Sequence, residues 1–353
     1  MKKTFFLLVM IFAAVLAGGV NKTVHLTTEP LTFCRDREYD VVNLTDGFSL
    51  PALGKPLLPC LSLTVIIPAD AQVAGVSVLP LSTDELPGEF KIIPAQPPVP
   101  ISSPTTPPFV PPDQKTYNSD EPFPPRTLLF YTTGSAAGFK LVSVVFCPFE
   151  YRPASKKLFF HSRIQVKVNY EENATTPRIL TPLQRDRMMR SLRPLVANPE
   201  DLSQFAPPVK ETDQPSVEYL VITSPELSQN FAPYLQYKET RGLKTELRTT
   251  EWIERNYPGR DLQEKIRSLI ADFFLSRGLT YVLLAGDNRQ VPSRHIEVAV
   301  GNEQGSIPTD LYYGDIDYSW DSNHNNRFGE MEDSVDLYAD VFVGRASVDN
   351  WEQ

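Results

Sequence analysis

The chain has 353 residues, 41% of them hydrophobic and 22% charged, a globular composition with length enough for two or three domains that each bury a core. That excludes a disordered tail or a short peptide, and thirty-three prolines against seventeen glycines with 10% aromatics favour strands and long loops over an all-helical protein. The formal charge is −9, yet residues 301–353 carry twelve Asp/Glu and two Lys/Arg, a local −10, so the rest sums to about +1. The acidity is local, no basic stripe runs along the chain, and nucleic acid is therefore not an expected partner.

Met1-Lys2-Lys3, the apolar run 5–16 and Ala17-Gly18-Gly19 read as a secretory signal peptide over 1–18, cleaved near Ala17 or Gly18. The run breaks at Gly18, short of the roughly 20 apolar residues a bilayer span needs. The mature protein is expected to be secreted or at the cell surface, with no transmembrane segment after cleavage. In an oxidising compartment Cys34, Cys60 and Cys147 allow at most one intramolecular bridge with one thiol left over, and Cys34 and Cys60 are the nearest pair in sequence. No CxxC spacing occurs and His25, His161, His295 and His324 are scattered, so a zinc site is not supported.

From 20 to 93, short apolar runs such as Leu61-Ser-Leu-Thr-Val-Ile-Ile67 and Val73-Ala-Gly-Val-Ser-Val-Leu79 alternate at a period near two, as half-buried antiparallel strands do. Residues 94–125 hold twelve prolines, which cannot donate to a ladder, and read as a long exposed loop. Strand character resumes at 126–132, 140–149 and most clearly 157–170, where Ile164, Val166 and Val168 alternate with polar neighbours. Residues 20–172 are therefore expected to form a β-sandwich or barrel. Residues 173–216 are polar, basic at Arg185, Arg187, Arg190 and Arg193, and broken by prolines, which suits a surface linker with one short helix. The arginines read equally as a processing region or as a solvated helix face. From 217 to 285 the pattern becomes strand, helix, strand, helix, strand, a βαβαβ unit calling for a parallel sheet with right-handed crossovers. Pro233 suits a first helical turn, and Gly242 and Gly278 suit helix ends. A fourth strand, Val341-Phe-Val-Gly344, follows the long acidic stretch.

Lys238-Glu-Thr-Arg-Gly-Leu-Lys244, Tyr281-Val-Leu-Leu-Ala-Gly-Asp287, Val291-Pro292, the segment from Asp310 to Asp315 (Asp-Leu-Tyr-Tyr-Gly-Asp) and Val343-Gly-Arg345 together resemble the start of the catalytic domain of the gingipain family of cysteine peptidases. Before them, Gly54-Lys-Pro-Leu-Leu-Pro59 and Ile66-Ile-Pro68 sit in a segment similar in layout to that family's propeptide. The resemblance implies a multidomain protein: an N-terminal all-β, sandwich-like propeptide domain, then over 217–353 an α/β caspase-like subdomain with a mainly parallel sheet. It implies a secreted cysteine endopeptidase precursor with a Cys/His dyad, acting on protein or peptide substrates, with an intramolecular contact between propeptide and catalytic domain. No residue here matches the family's catalytic His or Cys, so the chain reads as an N-terminal fragment, inactive by itself, with no catalytic or organic-cofactor residues of its own. The alternative is a non-catalytic, secreted or cell-surface, calcium-stabilised binding module.

Two acidic sets are candidates for structural calcium. Asp321, Asn323, Asn325 and Glu332 stand at positions 1, 3, 5 and 12 of a loop, the spacing that wraps one hard cation, with Asn326 in place of the usual Gly at position 6. A solvated acidic loop explains the same residues. The resemblance implies a second set: Asp287, Asp336, the backbone carbonyl of Tyr338, and Asp340, where the family carries the longer Glu. Positions 336, 338 and 340 share one face of an extended segment. An antiparallel fourth strand, or a loop folding back, would bring them to Asp287, which is otherwise a cap for the turn that follows it. Tyr312, Tyr313, Tyr318 and Trp320 read as packing for this loop.

Overall fold

The computed structural model describes residues 17–25, 31–99, 107–212, 214–300 and 303–350. The expected leader lies outside them except for Ala17 and Gly18, which already pair with Glu171 and Tyr170. In chain order the first part contains β1 (Ala17–His25), β2 (Leu31–Asp36), β3 (Tyr39–Leu44), β4 (Phe48–Ser49), β5 (Pro59–Ile67), β6 (Gln72–Glu85), α1 (Gln114–Tyr117), β7 (Leu128–Ala136), β8 (Phe139–Phe146), β9 (Phe149–Arg152) and β10 (Lys157–Glu171). These strands make two four-stranded antiparallel sheets, β1-β10-β6 with β9 beside β10, and β4-β5-β8-β7, plus the two-stranded β2-β3 ribbon. Alternation along β10 buries Ile164, Val166 and Val168, which join Val65, Ile67, Val142 and Val144 of the other sheet in one apolar cluster.

The proline-rich stretch differs from the exposed loop its composition predicts. Its flanks are tied down: Ala95 is buried, Gly54 N–H donates to Ala95 O (3.0 Å), and the Gln96 side chain both accepts from Val110 N (2.9 Å) and donates to Val110 O (3.0 Å). Proline lacks the ladder donor, but its carbonyl and its neighbours' groups remain available, and the fold uses those.

The connector also departs from a surface linker. It forms α2 (Pro182–Leu192), a 3-10 turn (Pro199–Asp201) and α3 (Leu202–Phe205). Thr181 and Gln184 form a capping box with Pro182 at the first turn, and Met188, Leu192, Leu202 and Phe205 are buried. Polar side chains anchor it on both sides. Gln184 Nε2 donates to Phe274 O (3.0 Å) and Leu279 O (2.9 Å), while Asn198, fully buried, accepts from Ile66 N (2.9 Å) and donates to Ile66 O (2.9 Å). Of the four arginines, Arg187 is paired with Glu218 at 2.7 Å and only partly exposed, whereas Arg190 and Arg193 are exposed.

The remaining elements are β11 (Tyr219–Thr223), α4 (Ala232–Thr240), β12 (Thr245–Thr249), α5 (Thr250–Asn256), α6 (Leu262–Arg277), β13 (Tyr281–Ala285), β14 (Arg294–Val300), β15 (Glu303–Thr309), α7 (Leu311–Gly314) and β16 (Phe342–Ala346). β12-β11-β13-β16 is a wholly parallel sheet whose central β11 is buried at every residue, as a strand covered on both faces must be. Asp261 caps α6 by accepting from Glu264 N (2.9 Å), and Gly278 ends it in the left-handed region at φ 78°. An antiparallel hairpin, β14-β15, not among the elements expected from the sequence, lies between β13 and α7. Among the described residues no helix is long and apolar enough to cross a membrane.

Removing the Asn198 amide by Asn198→Ala orphans both backbone groups of Ile66 inside the core, and the expected loss is about 2–4 kcal/mol. A urea midpoint unchanged from the parent chain would contradict this account of the connector.

Candidate metal centre at the junction

The parallel register pairs Tyr281 with Phe342 and Ala285 with Ala346. Asp287 therefore lies past the carboxyl end of β13, and Asp340 lies before the amino end of β16, with the full length of the strand, about 17 Å, between them. The structure does not bring Asp287 together with Asp336, Tyr338 and Asp340. Asp287 instead caps its turn, with Oδ1 accepting from Arg289 N (2.9 Å) and Gln290 N (3.3 Å), and its own N–H donating to Val348 O (3.0 Å).

The loop set is drawn into other bonds. Asp321 is buried and paired with Arg260 at 2.6 Å; Asn323 Oδ1 accepts from Asn325 N (3.0 Å), and Asn325 Oδ1 accepts from Arg327 N (2.7 Å). Glu332 is exposed, while its neighbour Asp333 turns inward to accept from Ser322 N (2.7 Å). Asn326 does enter the left-handed region, at φ 64°, as its place at position 6 requires. With a guanidinium on its first position and its last carboxylate outward, this loop is held by hydrogen bonds and ion pairs within the protein.

The carboxylates that converge are Asp315, Asp317 and Asp340, whose ligand oxygens lie within 4.8 Å of one another, with Asp336 and Tyr338 alongside on the segment leading to β16. Local structure sets each of them. α6 directs Arg267 to the carbonyls of Asp315 (Nη2, 2.8 Å) and Tyr312 (Nε, 3.0 Å), fixing the chain after α7. Trp320 Nε1 donates to Asp315 Oδ2 (2.9 Å), and Gly314 O accepts from Asp340 N (2.9 Å) and Val341 N (3.1 Å), strapping the two acidic segments together. Asp340 Oδ2 accepts from Ile316 N (2.9 Å).

The other wall of this centre belongs to the β-rich part. β7 and β8 join through Ala137 and Gly138, both at positive φ (50° and 82°), the two-residue turn whose twist suits a hairpin. Ala137 N donates to Asp340 Oδ1 (2.7 Å), Ser135 N donates to Asp336 Oδ2 (2.6 Å), and the Tyr338 hydroxyl bonds the Ser143 hydroxyl (2.6 Å). A Cβ on Gly134 would stand 2.3 Å from the Tyr338 ring and 2.9 Å from Asp336 Oδ2, so glycine is required for this close approach. From the connector, Arg178 reaches over the hairpin tip to within 3.6 Å of Asp340 and 3.7 Å of Asp317.

Arg178 faces three clustered carboxylates and Asp336 beside them, with Arg267 next to Asp315 and Lys140 acting on Asp336, and burial still outweighs these cations. Asp317 Oδ1 and Arg178 Nη1 are buried without hydrogen-bond partners. Burial, then the neighbouring Asp317, pushes the Asp340 carboxyl up to about 7; burial and Asp317 do the same to Asp315, also to about 7; burial raises Asp336 to about 6. Oxygen atoms with this spacing match a single calcium-sized ion, whose ligands stand about 2.3–2.6 Å from it. Asp315 and Asp317 were absent from both sequence sets; their signal was Asp315-Ile-Asp317, two acids on one side of an extended segment right after a short helix.

Comparison with known proteins follows the same division. The family model described as Peptidase family C25 matches residues 212–353, and Propeptide_C25 matches residues 30–187, so the propeptide model comes first along the chain. The chain belongs to the gingipain family, of which it carries propeptide and catalytic-domain portions. Gingipain R2 from two strains of Porphyromonas gingivalis is 23% identical over 316 residues, covering 88% of this chain and 38% of the relative. The chain thus spans about 38% of the length of the curated relatives it matches. Among solved structures, a complex of the P. gingivalis RgpB pro- and mature domains covers 52% of this chain and 93% of its own at 21% identity and TM-score 0.40. A structure on the zymogenic latency of gingipain K from the same organism covers 44% of this chain and 100% of its own, at 16% identity and TM-score 0.35.

Three carboxyls with raised folded-state values make the folded chain bind more protons than the unfolded one between about pH 4 and pH 7, so without divalent cations stability falls as pH rises through that window. The Tm is expected to drop on the order of 5 °C across it, and Asp340→Asn to flatten the slope. A slope identical in the variant would show that Asp340 does not carry it.

Proposed function

We propose that this chain is the front portion of a secreted cysteine endopeptidase precursor of gingipain type, exported by the 1–18 signal peptide. The observation that carries the reading is the pairing of two family matches in the order propeptide then peptidase, joined physically where the β7-β8 hairpin is held by Asp336, Tyr338 and Asp340. The 217–353 unit is the first subdomain of a caspase-like catalytic domain, and the Cys/His dyad belongs to the complete protein. There the Cys thiolate attacks the scissile carbonyl of a protein or peptide, the His carries its proton to the leaving amine, and water then releases the acyl group. Calcium is the cation we assign to Asp315, Asp317 and Asp340, with Asp336 on the adjoining segment as a further carboxylate. When bound it supplies charge neutralisation and rigidity rather than chemistry. The residues themselves keep the hairpin, the chain after α7 and the start of β16 in one arrangement.

The complete protein, assayed on a mixed peptide library, is expected to cleave peptides and to lose that activity on treatment with a thiol alkylator, while residues 1–353 alone cleave nothing. Cleavage indifferent to alkylation would overturn the cysteine mechanism. No cleavage by the complete, propeptide-free protein would leave the calcium-stabilised binding module as the reading.

A further inference from the structure

The cysteine pair nearest in sequence is not the pair nearest in space. Cys34 is exposed on β2, with the Asn43 amide donating to its sulfur, whereas Cys60 and Cys147 are both buried. β5 and β8 run antiparallel with Leu61 opposite Phe146, so one step further Cys60 stands opposite Cys147. Cys147 N donates away from β5, to Thr127 O (2.9 Å), and Cys60 pairs on its other side with Phe48. The 60/147 position is therefore a non-hydrogen-bonded cross-strand site, the kind at which Cα atoms approach to about 4.5 Å and side chains are closest, within the span a disulfide bridges.

We infer that Cys60 and Cys147 form a cross-strand disulfide that staples the propeptide sheet, leaving Cys34 as the free thiol. The two sulfurs already influence one another. The neighbouring Cys147 thiol draws the Cys60 thiol below its ordinary value, while burial, then Cys60, pushes Cys147 up; Cys60 Sγ donates to Leu58 O (3.7 Å) and Cys147 Sγ to Pro59 O (3.6 Å). Both thiols line a pocket of about 300 Å³ at the surface, walled by Leu50, Leu58, Phe123 and Pro124, which gives a small reagent a way in.

The oxidant is a disulfide, such as oxidised glutathione or an exported thiol oxidoreductase. Cys60 thiolate attacks one of its sulfurs and releases one thiol; Cys147 then attacks the Cys60 sulfur of the mixed disulfide and releases the second. The two protons lost from the protein end on the two released thiols, and the oxidant takes up the two electrons. Only the cellular source of oxidant rests on the exported-precursor reading, because the juxtaposition of the sulfurs is a property of the fold.

The test is to refold the full 353-residue chain with oxidised and reduced glutathione, quench with acid, denature, alkylate and map the peptides. The expected result is one alkylated cysteine, Cys34, and a 60–147 linked peptide that vanishes on reduction. Three alkylated cysteines, or a link through Cys34, would overturn the inference. As a second measurement, reductant is expected to lower the parent Tm by on the order of 5–10 °C and to leave the Cys60→Ala/Cys147→Ala double variant unmoved; equal responses in the two would also overturn it. Neither readout depends on peptidase activity, so failure here and failure of the peptidase reading are separate results.

Discussion

Mutual repulsion among Asp315, Asp317, Asp336 and Asp340 is the constraint around which the two halves of the molecule meet. Carboxylates in a buried cluster tolerate one another only if they are protonated, paired or bound to a cation. Here the surroundings supply backbone N–H donors from Ala137, Ser135 and Ile316, one indole from Trp320, the guanidinium of Arg178, and the charges of Arg267 beside Asp315 and Lys140 beside Asp336. Two of those donors come from the β7-β8 hairpin. The electrostatic need of the α/β unit is thus met in part by the propeptide portion, which makes the junction a mutual contact rather than a simple covering of one surface by another.

The position of the contact also bears on what the propeptide portion does. The junction lies at the amino-terminal approach to β16, whereas ligands of open parallel sheets sit outside the carboxyl ends, here beyond β11 and β13 where Asp287 caps its turn. The hairpin contact therefore anchors the first unit without itself filling that crevice. Its second anchor is the connector, which the Gln184 and Asn198 amides tie to α6 and β5 respectively. A connector folded in this way presents its exposed arginines, Arg190 and Arg193, at the end of α2 and beyond it, while Arg187 is held against Glu218.

The strands and helices with a clean period were legible in the sequence: β5, β10, the βαβαβ order and the glycine that ends α6 follow from alternation and capping alone. The family was legible from its motifs. What was not legible depended on pairing across long distances. A proline count says which groups cannot donate, but not that Gln96 and Ala95 will find partners, and a polar linker composition hid the buried face of α2. The carboxylate cluster at the junction was half legible for the same reason. Asp336, Tyr338 and Asp340 were named, but Asp287 was grouped with them although a parallel β16 puts it at the far end of the sheet. Asp315 and Asp317 complete the cluster only because Gly314 O binds the backbone of Asp340. The spacing of Asp321 to Glu332 matched a calcium loop in sequence, yet Arg260, sixty-one residues earlier, claims its first carboxylate.

The central claim is that the junction carboxylates form one calcium site holding the two halves together. Its most direct test is the Tm of the full chain at pH 7 with calcium, with magnesium as control, beside Asp340→Asn. The account predicts a rise on the order of 5 °C in millimolar calcium, little with magnesium, and none in the variant. A parent Tm indifferent to calcium, or a variant that responds as the parent does, would contradict it.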